Sequence, residues 1–532
     1  MGAREIDYYN ERYKGSLTDK QCEMLEQIIE LDSNRAVDTS LKHIIHNMSD
    51  SDVDDFIQDM ENYGYPLKDY EKPIGELRDY QTLGVAYGYY AGNFILGDSV
   101  GTGKTVETAG ICNLYKTIFN QQGKDFKYLV LTEKNLSKQF RAEMVKFTGD
   151  FVERIPSGEE RDIDRFINNN PYNTPLEYSV VGTHALIKAP KFLSWLEQCR
   201  TYGNGFPFYM LIVDESSVLG GKSTTQIVKS FKSISKYFKK IIFLNATPFE
   251  TSLQVFYNQL NLLDSKMLPT KQNFEKEYCI MRYNGMYSVP SGKYKNQANF
   301  KKRVGYFYFA RTRRDNGAVM EDCKGGVVFS PLSPIQKEWL NKTQLNRMVF
   351  DCPNYLDSSI PFCSETVPKL GSLDKLHKNE CADANSILLF TYYKEAQYAL
   401  SKWLRDKGYS NEVLNGATKG VDRDRIIKGF KNSEFRVLIT NVQKGLNFGD
   451  CNYCIFYSFD PNPSKMVQFE GRTTRSFDIV GKNVYILCSK GLEEKQLNEI
   501  VRQRAKATTD ATNTDISVVL DVLLGGAKDD DN

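Results

Sequence analysis

The stretch Leu96-Gly-Asp-Ser-Val-Gly-Thr-Gly-Lys-Thr105 comes within one residue of a phosphate-binding loop. A loop of the form G-x-x-x-x-G-K-[ST] opens on glycine, where this chain has Asp98. The flanks favour a genuine site. The apolar run Phe94–Leu96 precedes the loop, and the helix-forming segment TVETAGICNLYKTI follows it. Strand, glycine-rich turn and helix in that order aim backbone N–H groups and the positive end of a helix dipole at an anion. Gly101, Thr102 and Gly103 would line the phosphates, and Lys104 would reach the β- and γ-phosphates. Thr105 would offer its hydroxyl to Mg²⁺, so ATP and Mg²⁺ are the expected cofactors.

Outward from the loop, short apolar runs recur at Tyr128–Leu131, Tyr178–Val181, Tyr209–Val213 and Ile241–Leu244. A second set follows at Ile387–Phe390, Val437–Thr440, Cys454–Tyr457 and Val484–Leu487, with helical segments between. That alternation predicts an α/β chain of two mostly parallel sheets covered by helices. The expected divisions are a small N-terminal helical domain (1–70), a first lobe (71–265), an inter-lobe insertion (266–375), a second lobe (376–505) and a C-terminal helix with an acidic tail (506–532). Thr18-Asp-Lys-Gln21 resembles a capping box opening one of the N-terminal helices.

The composition narrows the chemistry. Lysine and arginine total 69 against 67 carboxylates, so a nucleic-acid partner must be held by local patches rather than by bulk charge. The 11 cysteines are scattered, and the one close pair, Cys451 and Cys454, sits in an apolar run and reads as reduced core thiols. With four histidines and no cluster of them, hydrolysis would be run by carboxylates, arginines and a metal. No run approaches a membrane span and the N-terminus has no apolar signal core, so a cytoplasmic monomer away from membranes is expected.

In the segment FYMLIVDESSVLGG, Asp214 and Glu215 end a buried strand, at the edge where open α/β sheets bind ligands. Asp214 would hold Mg²⁺ through water and Glu215 would polarise the attacking water. Upstream, LRDYQTLGV places Gln81 to read the adenine edge, and IIFLNATPFE ends a further strand in Thr247-Pro248. Far downstream, MVQFEGRTTRSF carries Gln468, Arg472 and Arg475, with the two guanidinium groups on one helical face. Planar guanidinium groups suit the spread charge of a phosphoryl transition state.

On these motifs the chain resembles the superfamily-two helicase ATPases, and within them the Snf-type (Swi/Snf-like) DNA translocases in a compact bacterial or phage-like form. Their loop D-x-x-G-x-G-K-T matches Asp98–Thr105, their adenine motif resembles Leu77–Gln81, and their carboxylate box matches Asp214-Glu215, with Ser217 in place of the usual histidine. Their T-x-T-P element resembles Asn245-Ala-Thr-Pro248. YFYFARTRRDN (306–316), VVFSPLSPIQKEWL (327–340), VLNGATKGVDRDRIIKGFKN (413–432) and the segment 438–464 follow in the family's order.

The resemblance implies two RecA-like lobes and ATP-driven movement along DNA, gripped mainly by its phosphate backbone without sequence preference. Candidate contacts are Lys134 in LTEKNLSKQF, Thr183 with His184, Arg311 and Arg313 in the basic run 301–314, and Thr440, Gln443 and Lys444. Arg313 and Arg314 alternatively position a closed state. Strand separation or branch migration would use the same engine, and no wedge hairpin is evident in the sequence. An ATPase subunit docked on RNA polymerase or another machine through the N-terminal helices is a further reading. A dead ATPase scaffold is disfavoured, because Lys104, Thr105, Asp214, Glu215, Arg472 and Arg475 are all present.

Overall fold

A computed structural model describes residues 77–524, apart from 222–224, 247–252, 266–268, 284–285, 287, 297–298, 301–307, 314–316, 344–346, 419, 443–447, 449–450, 474–477, 503–504 and 506–516. The expected N-terminal helices and acidic tail lie outside the described residues. So do Arg314, Gln443, Lys444, Arg475 and the Thr247-Pro248 element. The chain divides into two compact units, the first ending at Asn316 and the second beginning at Gly317.

In the first unit the strands are β1 (Phe94–Leu96), β2 (Tyr128–Thr132), β3 (Val152–Arg154), β4 (Ser179–Thr183), β5 (Met210–Asp214), β6 (Lys240–Leu244), β7 (Cys279–Tyr283), β8 (Ser288–Tyr294) and β9 (Tyr308–Phe309). Seven of them form one sheet in the order β3-β4-β2-β5-β6-β1-β9. Every pairing in it is parallel. Strands β2 and β6 are buried along their whole length, which is why their sequences are continuous apolar runs rather than alternating ones. β9 is held at the edge by packing: the Phe309 ring stacks on Tyr87 with centroids 4.3 Å apart. Gly97 permits the approach, since a Cβ there would stand 2.0 Å from the Tyr308 ring. β7 and β8 pair antiparallel as a separate hairpin.

The second unit holds β10 (Met320–Glu321), β11 (Lys324–Ser330), β12 (Ile387–Phe390), β13 (Asn411–Leu414), β14 (Val437–Thr440), β15 (Tyr453–Phe456), β16 (Ile479–Val480) and β17 (Asn483–Ser489). Its main sheet is parallel in the order β11-β17-β15-β12-β14-β13. Within the segment 266–375, expected as an inter-lobe insertion, β9 pairs with β1 at the edge of the first sheet and β11 pairs along β17 in the second. The helix Val518–Leu524 is no loose tail, because Val518, Val519, Val522 and Leu523 are buried in the second core. A buried lysine ties the segments together: Lys369 Nζ donates to Asp351 at 2.9 Å, Glu493 at 2.8 Å and the Tyr457 carbonyl at 3.2 Å.

Cys451 and Cys454 are buried free thiols of this second core. Among the described residues no helix is long and apolar enough to cross a membrane.

Candidate nucleotide site

The strand ends carry the chemistry. The loop leaves the carboxyl end of β1, Thr132 ends β2, Thr183-His184 leave β4, Asp214 ends β5 and Asn245 follows β6. One edge of one sheet thus gathers every first-lobe motif within the described residues.

Gly103 caps the helix Lys104–Gln121 with φ of 93°, and Gly101 has φ of 89°, values that only glycine takes without strain. Lys104 Nζ folds back onto the loop, donating to the carbonyls of Asp98 at 2.5 Å and Ser99 at 3.0 Å. Burial pulls its pKa down, against the opposing pull of Asp98, Glu215 and Asp214. Gln81 donates from Nε2 to the Thr102 carbonyl at 2.9 Å and accepts from the Arg78 N–H at 3.1 Å. Tyr80 donates to the same Thr102 carbonyl at 2.8 Å. The Gln81 amide thus braces the loop.

Thr132 Oγ1 donates to Asp214 Oδ2 at 2.7 Å, and His184 Nε2 donates to the Asp214 carbonyl at 2.7 Å. Burial, reinforced by the adjacent Glu215, raises the Asp214 carboxyl to about 7. Glu215 sits in the left-handed region at φ 49°, an unusual backbone for glutamate that turns the chain immediately after β5. Beyond it, Ser216 Oγ donates to Gln259 Oε1 at 2.8 Å, and Asn245 Nδ2 donates to the same oxygen at 3.1 Å. Gln259 thus joins the carboxylate segment to the segment after β6, a role sequence reading missed. Its only sequence signal is a polar side chain among Phe256, Leu260 and Leu263 on the buried face of the helix Leu253–Leu263. Gln259→Leu leaves two buried donors without this acceptor and is expected to lower first-unit stability by about 2 kcal/mol. A denaturant midpoint equal to that of the parent protein would refute the linking role.

Asp98, the residue that breaks the loop pattern, is fully buried. Its Oδ2 accepts from Arg311 Nη2 at 2.6 Å, and its Oδ1 accepts from the Arg311 backbone N–H at 2.9 Å. Arg311 Nη2 also donates to Glu107 Oε1 at 2.7 Å, and Nη1 to the Tyr80 carbonyl. Burial and the neighbouring Asp98 push Glu107 well above the usual carboxylate range despite Arg311. The backbone follows: Gly97 N–H donates to the Phe309 carbonyl at 2.7 Å and Ser99 N–H to the Arg311 carbonyl at 3.0 Å. Arg311, expected from its place in a basic run to contact nucleic acid, is here a buried partner of the loop.

The other expected contacts differ in exposure. Thr183 and Arg313 are buried, and Thr440 is fully buried with its hydroxyl accepting from the Val442 N–H at 3.0 Å. Lys134 is exposed and pairs with Glu159 at 3.1 Å.

In the second unit Gln468 is buried on the helix Pro463–Glu470, and Arg472 follows it. The arginine segment is fixed at several points. The Phe448 N–H donates to the Arg472 carbonyl at 3.0 Å, and Lys482 Nζ donates to Thr473 Oγ1 and to the Cys451 carbonyl. The Glu470 carboxylate accepts from Ser517 Oγ at 2.6 Å and from the Val518 N–H at 3.0 Å, which seats the final helix on this segment.

Comparison with known proteins agrees with this architecture. Residues 21–380, more than half the chain, match the SNF2-related domain, and residues 368–477 match the helicase conserved C-terminal domain. The chain belongs to the SNF2-related family of helicase-type proteins. It is 22% identical over 474 residues to the mouse chromodomain-helicase-DNA-binding protein 1-like, covering 82% of this chain and 50% of that one. It is 21% identical to the uncharacterized ATP-dependent helicase YqhH of Bacillus subtilis, covering 78% of this chain and 75% of that one. Among solved structures, the Sulfolobus solfataricus SWI2/SNF2 ATPase core in complex with dsDNA matches at 17% identity with a TM-score of 0.38, covering 84% of this chain and 96% of that one. The chain thus spans about half the length of the mouse relative.

Proposed function

We propose that this protein hydrolyses ATP to move along, or remodel, DNA and DNA-bound complexes, gripping mainly the phosphate backbone. The observation that carries the reading is the convergence of Lys104, Asp214, Glu215 and the glycine turn at one sheet edge. Family membership and the relatives' names, which include a DNA-binding helicase, support the choice of nucleic acid as the track.

The donor set fits Mg²⁺. Two adjacent carboxylates crowd one buried strand end and raise Asp214, an arrangement a divalent cation relieves, and Thr105 stands at the start of the loop's helix. When bound, the cation would neutralise charge on the β- and γ-phosphates, with Thr105 and Asp214 holding it. The protein's own groups do the rest. Thr132 and His184 fix Asp214 on both its side chain and its carbonyl, and Glu215 orients the attacking water. Lys104 exchanges the loop carbonyls for phosphate oxygens. Arg472 and Arg475 take the transition-state role that the family resemblance implies.

Glu215→Gln is expected to keep ATP affinity within a few-fold while turnover falls on the order of 10²–10³-fold. Nucleotide binding measured beside steady-state hydrolysis, with and without duplex DNA, checks it. Hydrolysis indifferent to DNA, single-stranded nucleic acid and RNA alike would overturn the motor reading. Unchanged turnover in Glu215→Gln would overturn the assignment of the base.

A further inference from the structure

The helix Val518–Leu524 belongs to none of the motifs above, yet it is tied to one of them. Seven residues are too few for a helix that holds itself together, so its partners decide whether it forms. Val518, Val519, Val522 and Leu523 are buried in the second core. Its first turn is closed from two directions. Ser517, one residue before the helix, accepts from the Leu520 N–H at 3.3 Å, as an N-cap hydroxyl does. The Val518 and Val519 N–H groups turn instead to the Glu470 carboxylate, at 3.0 and 3.3 Å, 48 and 49 residues back in the chain. Ser517 gives its own hydroxyl proton to the same carboxylate at 2.6 Å.

Glu470 is 3% exposed. A carboxylate buried that deeply needs donors, and Ser517, Val518 and Val519 supply them. Its backbone serves a second purpose. The Glu470 carbonyl accepts from the Thr473 N–H at 2.9 Å and from the Thr473 hydroxyl at 2.6 Å, closing a turn whose two inner residues are Gly471 and Arg472. Thr473 Oγ1 also accepts from Lys482 Nζ, and the Thr473 carbonyl accepts from the Cys451 N–H at 3.2 Å. Lys482 is itself buried, and burial lowers its pKa against the pull of neighbours that include Glu470. Further along, the chain is held again: the Ile479 N–H donates to the Val319 carbonyl at 2.9 Å, and Asp478 Oδ1 accepts from the Val319 N–H at 3.0 Å.

One residue thus has two duties. The Glu470 side chain caps the final helix, and the Glu470 backbone folds the turn that presents Arg472. Apolar contact has no direction, whereas several hydrogen bonds to one carboxylate fix where it sits. Position matters here, because an arginine helps a phosphoryl transition state only where its guanidinium meets the developing charge. A displacement of about 1 Å costs on the order of 10²-fold in rate.

We propose that Glu470, held by Ser517 and the start of the final helix, is the positioning residue for Arg472, which makes the C-terminal helix part of the hydrolytic machinery. The proposal rests on the transition-state reading of Arg472. It is tested in the full-length chain with Ser517→Ala, Val522→Ala, Arg472→Ala and the double variant Ser517→Ala, Arg472→Ala. The readouts are thermal melting and steady-state ATP hydrolysis at saturating duplex DNA, below every melting transition. Ser517→Ala is expected to lower kcat about tenfold with KM for ATP within about twofold, because the arginine acts on the transition state rather than on bound ATP. Val522→Ala opens a cavity on the buried face of the same helix. It should lower the melting temperature at least as much, yet keep kcat within about twofold. Arg472→Ala should lower kcat on the order of 10²-fold. Adding Ser517→Ala to it should change kcat by less than about twofold, since the effect of Ser517 runs through Arg472. Three results overturn the positioning role while leaving that of Arg472: parental kcat in Ser517→Ala beside an impaired Arg472→Ala, an equal kcat loss in Val522→Ala, or a further tenfold loss in the double variant. Parental turnover in Arg472→Ala overturns the reading on which the proposal rests.

Discussion

Lys104→Ala is expected to reduce ATP hydrolysis by at least about 10³-fold while leaving the fold intact. Among the described residues the Lys104 ammonium donates to two backbone carbonyls of its own loop, those of Asp98 and Ser99. Burial disfavours its charge, which Asp98, Glu215 and Asp214 support from a distance. A cation held in this way is ready to exchange carbonyl oxygens for phosphate oxygens, and its contribution grows as charge moves onto the β–γ bridge. Truncation removes that contribution from the transition state and leaves the carbonyls of buried Asp98 and half-buried Ser99 without this donor, so the loss of stability should stay within about 1–3 kcal/mol. Hydrolysis rate, affinity for a fluorescent ATP analogue and thermal melting separate the effects. Turnover near that of the parent protein would remove Lys104 from the site. A collapsed melting transition would make it structural.

Several features of this site were legible in sequence for a simple reason. All nine apolar runs read as strands are strands, because central parallel strands buried on both faces leave continuous apolar signatures. Asp214 stands out because it ends such a run, and Lys104 because it closes the glycine-rich loop that follows another. Other features had no local signal. Strand β13, Asn-Glu-Val-Leu, is half polar, and β9 is two residues long. The basic run 301–314 suggested a surface, but whether an arginine faces solvent or a carboxylate depends on what the fold brings opposite it. For Arg311 that group is Asp98, 213 residues away in sequence. The hairpin escaped because strand β8 carries Pro290 and Gly292, which read as a loop.

The largest effect on stability is expected at Arg311. Arg311→Met leaves Asp98 and Glu107 buried together without their cation and is expected to cost about 3–5 kcal/mol. For a unit of this size that lowers its melting temperature on the order of 10 °C. Asp98→Asn should cost less. Removing the Asp98 charge withdraws one of the causes that raise Glu107, and Glu107 Oε1 already lies 2.7 Å from Arg311 Nη2. Glu107 can then ionise and take over the pairing. Asp98→Asn with Glu107→Gln removes both candidates and should fall as far as Arg311→Met. Adding Arg311→Met to that pair should restore most of the loss, because no unpaired charge remains buried. Thermal melts of the four variants test the order. An Arg311→Met protein as stable as its parent, or a triple variant no better than the double, would refute the ion-pair account. The same order should appear in ATP affinity, since Ser99 N–H is held by the Arg311 carbonyl and Asp98 and Ser99 also hold Lys104. Asp98 stands where other phosphate loops have glycine because here the loop is anchored from outside, by an arginine at the end of its own unit.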